Sequence, residues 1–176
     1  MAAGDGGRTR RFEAVALPHL PAAYNLARWI CRNEADAADV VQEAVMRALQ
    51  YFDGYRGGDA RAWLLQIVRN SAHTWIGRNR PAGLVPLVDT EVEAAGYAED
   101  PMTAVASRAE SAAVRQAITR LPLEQREVLI LREFEDLSYR QIAAVIDSPI
   151  GTVMSRLSRA RDQLAAIIRA EQRASP

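Results

Sequence analysis

Residues 148 to 161 read SPIGTVMSRLSRAR, and Arg156, Arg159 and Arg161 fall within six residues that contain no acid. A guanidinium is a planar, permanently charged fork of N–H donors that matches phosphate, carboxylate or the edge of a guanine. An acid-free run of such groups needs an anionic surface outside its own helix. A second set lies between residues 60 and 80, where four arginines and no acid surround Trp63, Gln66, Asn70, His73 and Thr74. A ring that can stack or wedge, an amide that can read a base and arginines that hold phosphates suit single-stranded DNA. A third set has the opposite sign: Asp36, Asp39, Gln42 and Glu43.

Catalytic chemistry has little to work with. Cys31 is the one cysteine, and His19 and His73 are the two histidines, so no cluster has metal-ligand spacing. Cys31 is expected to be a small buried hydrophobe, and His73 a solvated polar residue. Glycines 54, 57 and 58 do not form a GxGxxG pattern, and the chain has no lysine to complete a phosphate-binding loop. No nucleophile–base pair is evident. The expectation is a protein that is not an enzyme and uses no cofactor.

The elements that must position these groups are helical. The chain has 176 residues, 49% of them apolar and 6% aromatic, with many alanines and no long β-branched runs. No stretch of about 18 apolar residues is present, so no membrane insertion is expected. The start MAAGDGGRTRR lacks an apolar h-region, so a cytoplasmic location is expected.

The net charge of zero hides a pattern. Residues 1–80 hold 11 arginines and 8 acids, residues 81–105 hold 5 acids and no arginine, and residues 106–176 hold 11 arginines and 9 acids. The acidic strip also carries Pro81, Pro86, Pro101, Gly83 and Gly96, and reads as a flexible linker. The organisation is therefore all-α: a helical domain at 10–80, a linker at 81–105 and a second helical domain at 106–172.

In the first domain, residues 10–31 look helical, with interruptions at Pro18 and Pro21. Asn33 is placed to cap a helix whose one face is Val40, Val41, Ala44, Val45, Ala48 and Leu49. The acidic and amide set takes the other side. DGYRGGD, 53–59, is a loop, and Asp59 is placed to cap a helix over about 60–79. Its apolar face is Leu64, Leu65, Val68, Ala72, Trp75 and Ile76. Two readings stay open for Trp63: contact with DNA, or packing under the glycine-rich loop before it.

In the second domain, Val105, Ala109, Ala112, Ala113, Ala117 and Leu121 suggest a helix that closes at Leu121–Pro122. Pro122 opens the next. Ser138-Tyr139-Arg140-Gln141 matches a capping box, which starts a short helix to about Ile146. Asp147 fills the turn, Ser148 is placed as a second cap, and Pro149 takes the first helical position. A short helix, a tight turn and a longer basic helix make a helix-turn-helix. Val153, Leu157, Ala160, Leu164 and Ile168 form the buried stripe of the second helix. Thr152, Ser155, Ser158, Arg159 and Asp162 face outward, with Met154, Arg156 and Arg161 on the flanks. Arg156 and Arg161 have two open roles: clamping phosphates, or pairing with Glu124 or Glu127.

LPLEQREVLILREFEDLSYRQIAAVIDSPIGTVMSRLSRARDQL resembles domain four of bacterial extracytoplasmic-function (ECF) sigma factors. EADAADVVQEAVMRAL followed by FDGYRGGDARAWLLQIVRN resembles their domain two. The resemblance covers about residues 10–170, in the family's order. It implies a protein that binds core RNA polymerase, directs it to promoter DNA and helps open the duplex, in a stress or environmental response. It implies −35 recognition by Thr152, Met154, Ser155, Arg156, Ser158 and Arg159. Many relatives have a basic residue where Met154 stands, whereas Met offers only apolar contact, for instance to a thymine methyl. It implies −10 recognition by Trp63, Arg69, Asn70 and Thr74, with a flipped base held near the 53–59 loop. Asp36, Asp39, Gln42 and Glu43 resemble the surface that meets core polymerase, and a cognate anti-sigma factor is implied. The rival reading is a stand-alone helix-turn-helix regulator that binds its operator unaided.

Overall fold

The computed structural model describes residues 3–79 and 112–174, and among these all regular structure is helical. The linker at 81–105, and the expected contributions of Val105 and Ala109, lie outside the described residues. The first half comprises α1 (Ala3–Ala16), a 3-10 turn (Leu17–His19), α2 (Leu20–Cys31), α3 (Glu34–Gln50), a second 3-10 turn (Phe52–Gly54) and α4 (Ala60–Asn79). The second half comprises α5 (112–119), α6 (Leu123–Glu133), α7 (Tyr139–Ile146) and α8 (Ile150–Ala174).

Local chemistry explains most boundaries. Pro18 lies in the 3-10 turn and Pro21 in the first turn of α2, where a missing N–H leaves no intrahelical bond unmade. Asn33 accepts a hydrogen bond from the Asp36 amide at 2.9 Å and caps α3. Asp59 accepts from the Ala62 amide at 2.9 Å and caps α4. Ser138 and Gln141 close both bonds of the capping box at the start of α7.

Three details differ from the sequence reading. Helix α1 begins at Ala3 and runs through Gly4, Gly6 and Gly7. A tertiary anchor offsets their poor propensity: Arg8 bonds the Asp53 carboxylate at 2.9 Å and the Leu49 carbonyl at 2.6 Å. Ser148 does not cap α8. Asp147 is left-handed (φ 49°), and the amides of Asp147 and Ser148 turn back to the carbonyls of Ala144 and Ala143. This Schellman closure draws the Ser148 hydroxyl to the Ile146 carbonyl at 3.2 Å, and the Pro149 carbonyl accepts the first bonds of α8. In α5, Ala112 and Ala113 are exposed, and burial begins at Ala117 and Ile118.

The two halves pack on each other, α2 against α6 and α4 against α7. Leu26, Ile30, Val40, Leu64, Leu65 and Val68 join Ile130, Leu131, Ile142, Val153 and Leu157 in one continuous apolar cluster. Helix α6 buries every residue from Arg126 to Leu131, as a central helix does. Trp29 of α2 lies 5.5 Å from Phe134 beyond the end of α6.

Polar contacts pin the same seam. The Glu127 side chain is fully buried. Arg69 of α4 grips it with two bonds of 3.0 Å, and His73 Nε2 lies 2.8 Å from it. From α8, Arg156 approaches the same carboxylate at 3.7 Å and holds Glu124 at 3.0 Å. Glu135, also buried, bonds Arg61 at 2.6 Å and Asn25 at 2.5 Å. Gln141 donates to Asp59 at 2.6 Å.

Burial opposes ionisation of Glu127, but hydrogen bonds from His73 and Arg69 outweigh it and hold the carboxyl below its ordinary 4.5. A depressed carboxylate contributes stability that is fully present above the unfolded value and lost as pH falls through the folded one. Denaturant melts from pH 7 to pH 3.5 should therefore show stability falling below about pH 4.5, with a smaller fall in Glu127→Gln. At neutral pH, Glu127→Gln should cost on the order of 3 kcal/mol, because it breaks a buried pair. Equal pH profiles for the two proteins would show that Glu127 does not carry this dependence.

Candidate nucleic-acid interface

The second half presents a long basic helix on a rigid frame. The capping box fixes where α7 starts, and the left-handed Asp147 turns the chain in a single residue. Val153, Leu157 and Ala160 are buried against α6 and α7, while Leu164 and Ile168 are half-buried further along. This orientation leaves Met154, Ser155, Ser158 and Arg159 exposed and Thr152 half-buried.

The arginines of α8 divide into two kinds. Arg156 is only 18% exposed and points inward to Glu124 and Glu127. Arg161 bonds Glu133 at 2.7 Å. Its pKa is raised, first by the hydrogen bond it donates to Glu133 and then by one it donates to Tyr139. Arg159 has only a 3.4 Å contact to the Ser155 hydroxyl and no ion pair among the described residues. The face of α8 available to an anion is thus Ser155, Ser158 and Arg159, with Met154 beside them. The opening run of three arginines is one outward cation and two that brace the frame.

In the first half, Trp63 packs beneath the loop before α4. Its ring lies 4.8 Å from that of Tyr55 and 6.2 Å from that of Phe52. The Tyr55 hydroxyl donates to the Gly58 carbonyl at 3.0 Å. The loop depends on Gly57 and Gly58, whose φ values of 88° and 100° disfavour any side chain. Asn70 and Thr74 are exposed and adjacent, with the Thr74 hydroxyl donating to the Asn70 carbonyl at 2.9 Å. Arg69 and His73 turn the other way, onto Glu127. The polar face of α4 is therefore split: an amide and a hydroxyl toward solvent, a guanidinium and an imidazole into the seam.

Beside the same loop is an open cleft of about 510 Å³ lined by Arg11, Ala14, Val15, Phe52, Tyr55, Arg56 and Gly57. Phe52 and Tyr55 stack at 5.9 Å and 15°, and the Arg11 guanidinium lies 5.7 Å over Phe52. Phe52 is buried beneath the cleft, so the groups it offers a base and its phosphate are the Tyr55 ring and the two guanidiniums. The sequence reading named the 53–59 loop, which holds Tyr55, but missed Arg11. Arg11 comes from α1, far along the chain, and only its charge marked it.

On α3, Asp39 and Gln42 are exposed, and Asp36 and Glu43 are half-buried. Glu43 also pairs with Arg47 one turn on. The four share the side of the helix away from Val40, Ala44 and Ala48. No group of three or more metal-ligating side chains occurs among the described residues, and none of their helices is long and apolar enough to cross a membrane.

Comparison with known proteins matches both halves. Residues 16–81 match the Sigma-70 region 2 model, and residues 111–164 match Sigma-70 region 4. The chain is 35% identical over 166 residues to the RNA polymerase sigma-H factor of Pseudomonas aeruginosa, covering 90% of this chain and 86% of that protein. It is 36% identical over 137 residues to the ECF RNA polymerase sigma-E factor of Escherichia coli K12, covering 73% and 72%. Among solved structures, the sigma factor RpoE in complex with the anti-sigma factor NepR from Bartonella quintana is similar. Its TM-score is 0.73 at 28% identity, covering 91% of this chain and 98% of that one. With two ordered sigma regions on one helical frame and relatives matched along nearly its whole length, the chain belongs to the ECF family of RNA polymerase sigma factors.

Proposed function

We propose that the protein binds core RNA polymerase in the cytoplasm, brings it to promoters with defined −35 and −10 elements, and promotes initiation without being an enzyme itself. The observation that carries this reading is the capped helix-turn-helix whose second helix presents Ser155, Ser158 and Arg159 outward. Residues 106–172 would read the −35 element. Arg159 is the base-reading cation, Ser155 and Ser158 are adaptable donors, and Thr152 is a backbone contact. Arg156 acts on DNA only by leaving Glu124 and Glu127. Its first role is to fix the helix.

Residues 10–80 would take the −10 element, with Asn70 and Thr74 as the exposed reading pair. Trp63 and Phe52 support the pocket wall, and an extruded base enters the cleft beside Tyr55, Arg11 and Arg56. Arg69 joins a phosphate only after leaving Glu127. Residues 81–105 would tether the two. Asp36, Asp39, Gln42 and Glu43 would face basic groups of the polymerase, which favours fast, salt-sensitive docking. The structural relative in complex with an anti-sigma factor supports regulation by such a partner, and a stress or environmental response fits that control.

Run-off transcription from a mixed promoter library, with and without this protein, tests the reading. Start sites that need the protein and share spaced −35 and −10 sequences are expected. Binding of particular fragments without polymerase, and no start sites, would favour a stand-alone regulator. Arg159→Ala and Asn70→Ala should each lower promoter output about tenfold or more, the scale of one lost base contact. Met154 makes a sharper demand. Replacing −35 thymines with uracils, which lack the C5 methyl, should weaken binding several-fold for the wild type and little for Met154→Ala. Equal losses in both proteins would remove Met154 from the readout.

A further inference from the structure

We infer that α1 is a specificity element of the −10 site: Arg11 reads the captured base, and Arg8 positions the loop beside it. The inference rests on the base-capture reading of the cleft. The match to Sigma-70 region 2 begins at residue 16, where α1 ends. Neither arginine lies in the matched segment, so their roles follow from geometry alone.

Arg8 ties the end of α3 to the start of the loop. Its Nη2 donates to the Leu49 carbonyl at 2.6 Å and to the Gln50 carbonyl at 3.3 Å. Both carbonyls belong to the last turn of α3, where helical partners run out and the dipole favours a cation. The Arg8 Nε donates to Asp53, the first loop residue, at 2.9 Å. One turn on, the buried Phe12 meets Phe52 edge-on at 5.4 Å and 82°. Phe52 in turn stacks on Tyr55. Polar and apolar ties from α1 thus set where Tyr55 stands.

Arg11 is exposed and lines the cleft, with its guanidinium 5.7 Å over Phe52 and no ion pair among the described residues. A ring beneath a guanidinium restricts a long side chain and leaves the N–H edge free. Arg56, on the loop, is exposed and has no such ring beneath it among the described residues, which suits a phosphate rather than a base edge. No carboxylate lines the cleft, and the Tyr55 hydroxyl proton is given to the Gly58 carbonyl. A guanidinium fork needs two adjacent acceptors. Among unpaired bases, guanine has them at O6 and N7, and cytosine at O2 and N3. Adenine sets its amino group beside N1 and N7, and thymine sets an N–H between its carbonyls. Arg11 therefore selects guanine or cytosine.

Holoenzyme assembled from core polymerase and this protein allows a test on single-stranded −10 oligonucleotides that carry each standard base in turn at each position. Fluorescence anisotropy should show the wild type favouring guanine or cytosine at one position by about tenfold, the scale of a bidentate contact. Arg11→Ala should reduce that preference to about twofold or less and leave the other positions unchanged. Arg11→Lys keeps the charge without the fork, so it should recover overall affinity but not the preference. Arg11 is exposed, so neither change should alter thermal unfolding or core affinity. An equal loss on every oligonucleotide in Arg11→Ala would overturn the reading role and leave a phosphate contact. An undiminished preference would overturn it too, as would a wild type that favours adenine or thymine at the position Arg11 controls.

Arg8→Ala and Asp53→Ala should each weaken the same preference several-fold. The double variant should lose no more than either alone, because both changes break one tie. Additive losses, or losses spread over every −10 position, would overturn the positioning role. If the wild-type holoenzyme prefers no base at any −10 position, the base-capture reading itself fails, and the inference with it.

Discussion

A carboxylate with no solvent of its own has two options: take up a proton or gather cations. Glu127 gathers them, and the molecule is arranged around that choice. It sits on α6, the most enclosed helix of the second half. Its three partners arrive from two helices: Arg69 and His73 from α4, and Arg156 from α8. Removing any one partner leaves the cost of burying the charge less opposed. The register of α8 and the seat of α4 on the second half therefore share one electrostatic cause. Arg156, an apparent member of the DNA-binding run, is largely committed to this interior work.

The chain's exclusive use of arginine suits the arrangement. A lysine would give a point charge; Arg69 gives two parallel bonds to the two oxygens of Glu127. The same fork recognises a phosphate. Cations of one kind can thus close the molecule on itself or fasten it to nucleic acid, with small geometric change at the guanidinium. Arg159, which has no internal acid among the described residues, marks where the balance already favours an outside anion.

Short-range chemistry was legible in the sequence. Asn33, Asp59 and the Ser138–Gln141 pair each act within three residues, and their caps lie where their spacing put them. The apolar stripe of α8 followed from period alone. Contacts across the chain were not legible. Arg69 and Glu127 are 58 residues apart, and Asp59 and Gln141 are 82 apart. Nothing in local composition says which acid a given arginine will find. Two local readings were overridden by neighbours. Ser148 looked like a cap, but the Schellman closure at Asp147 had already turned its hydroxyl back to Ile146. The first helix was expected from about residue 10, but it begins at Ala3, and Arg8 ties it to Asp53 and Leu49.

The Asp59–Gln141 contact shows how local and distant demands meet in one pair of side chains. Asp59 caps α4 with Oδ1, and Gln141 closes the α7 capping box with Oε1. Each side chain then has one polar end left: Oδ2 on Asp59 and the amide nitrogen on Gln141. These ends meet at 2.6 Å. The starts of two helices are thereby brought together, although both carry the positive end of a helix dipole. Asp59 supplies the compensating charge. Its pKa is lowered, first by the Ala62 amide and, against a smaller burial cost, by Gln141. A cap that would serve only its own helix in isolation becomes, through its second oxygen, part of what closes the halves.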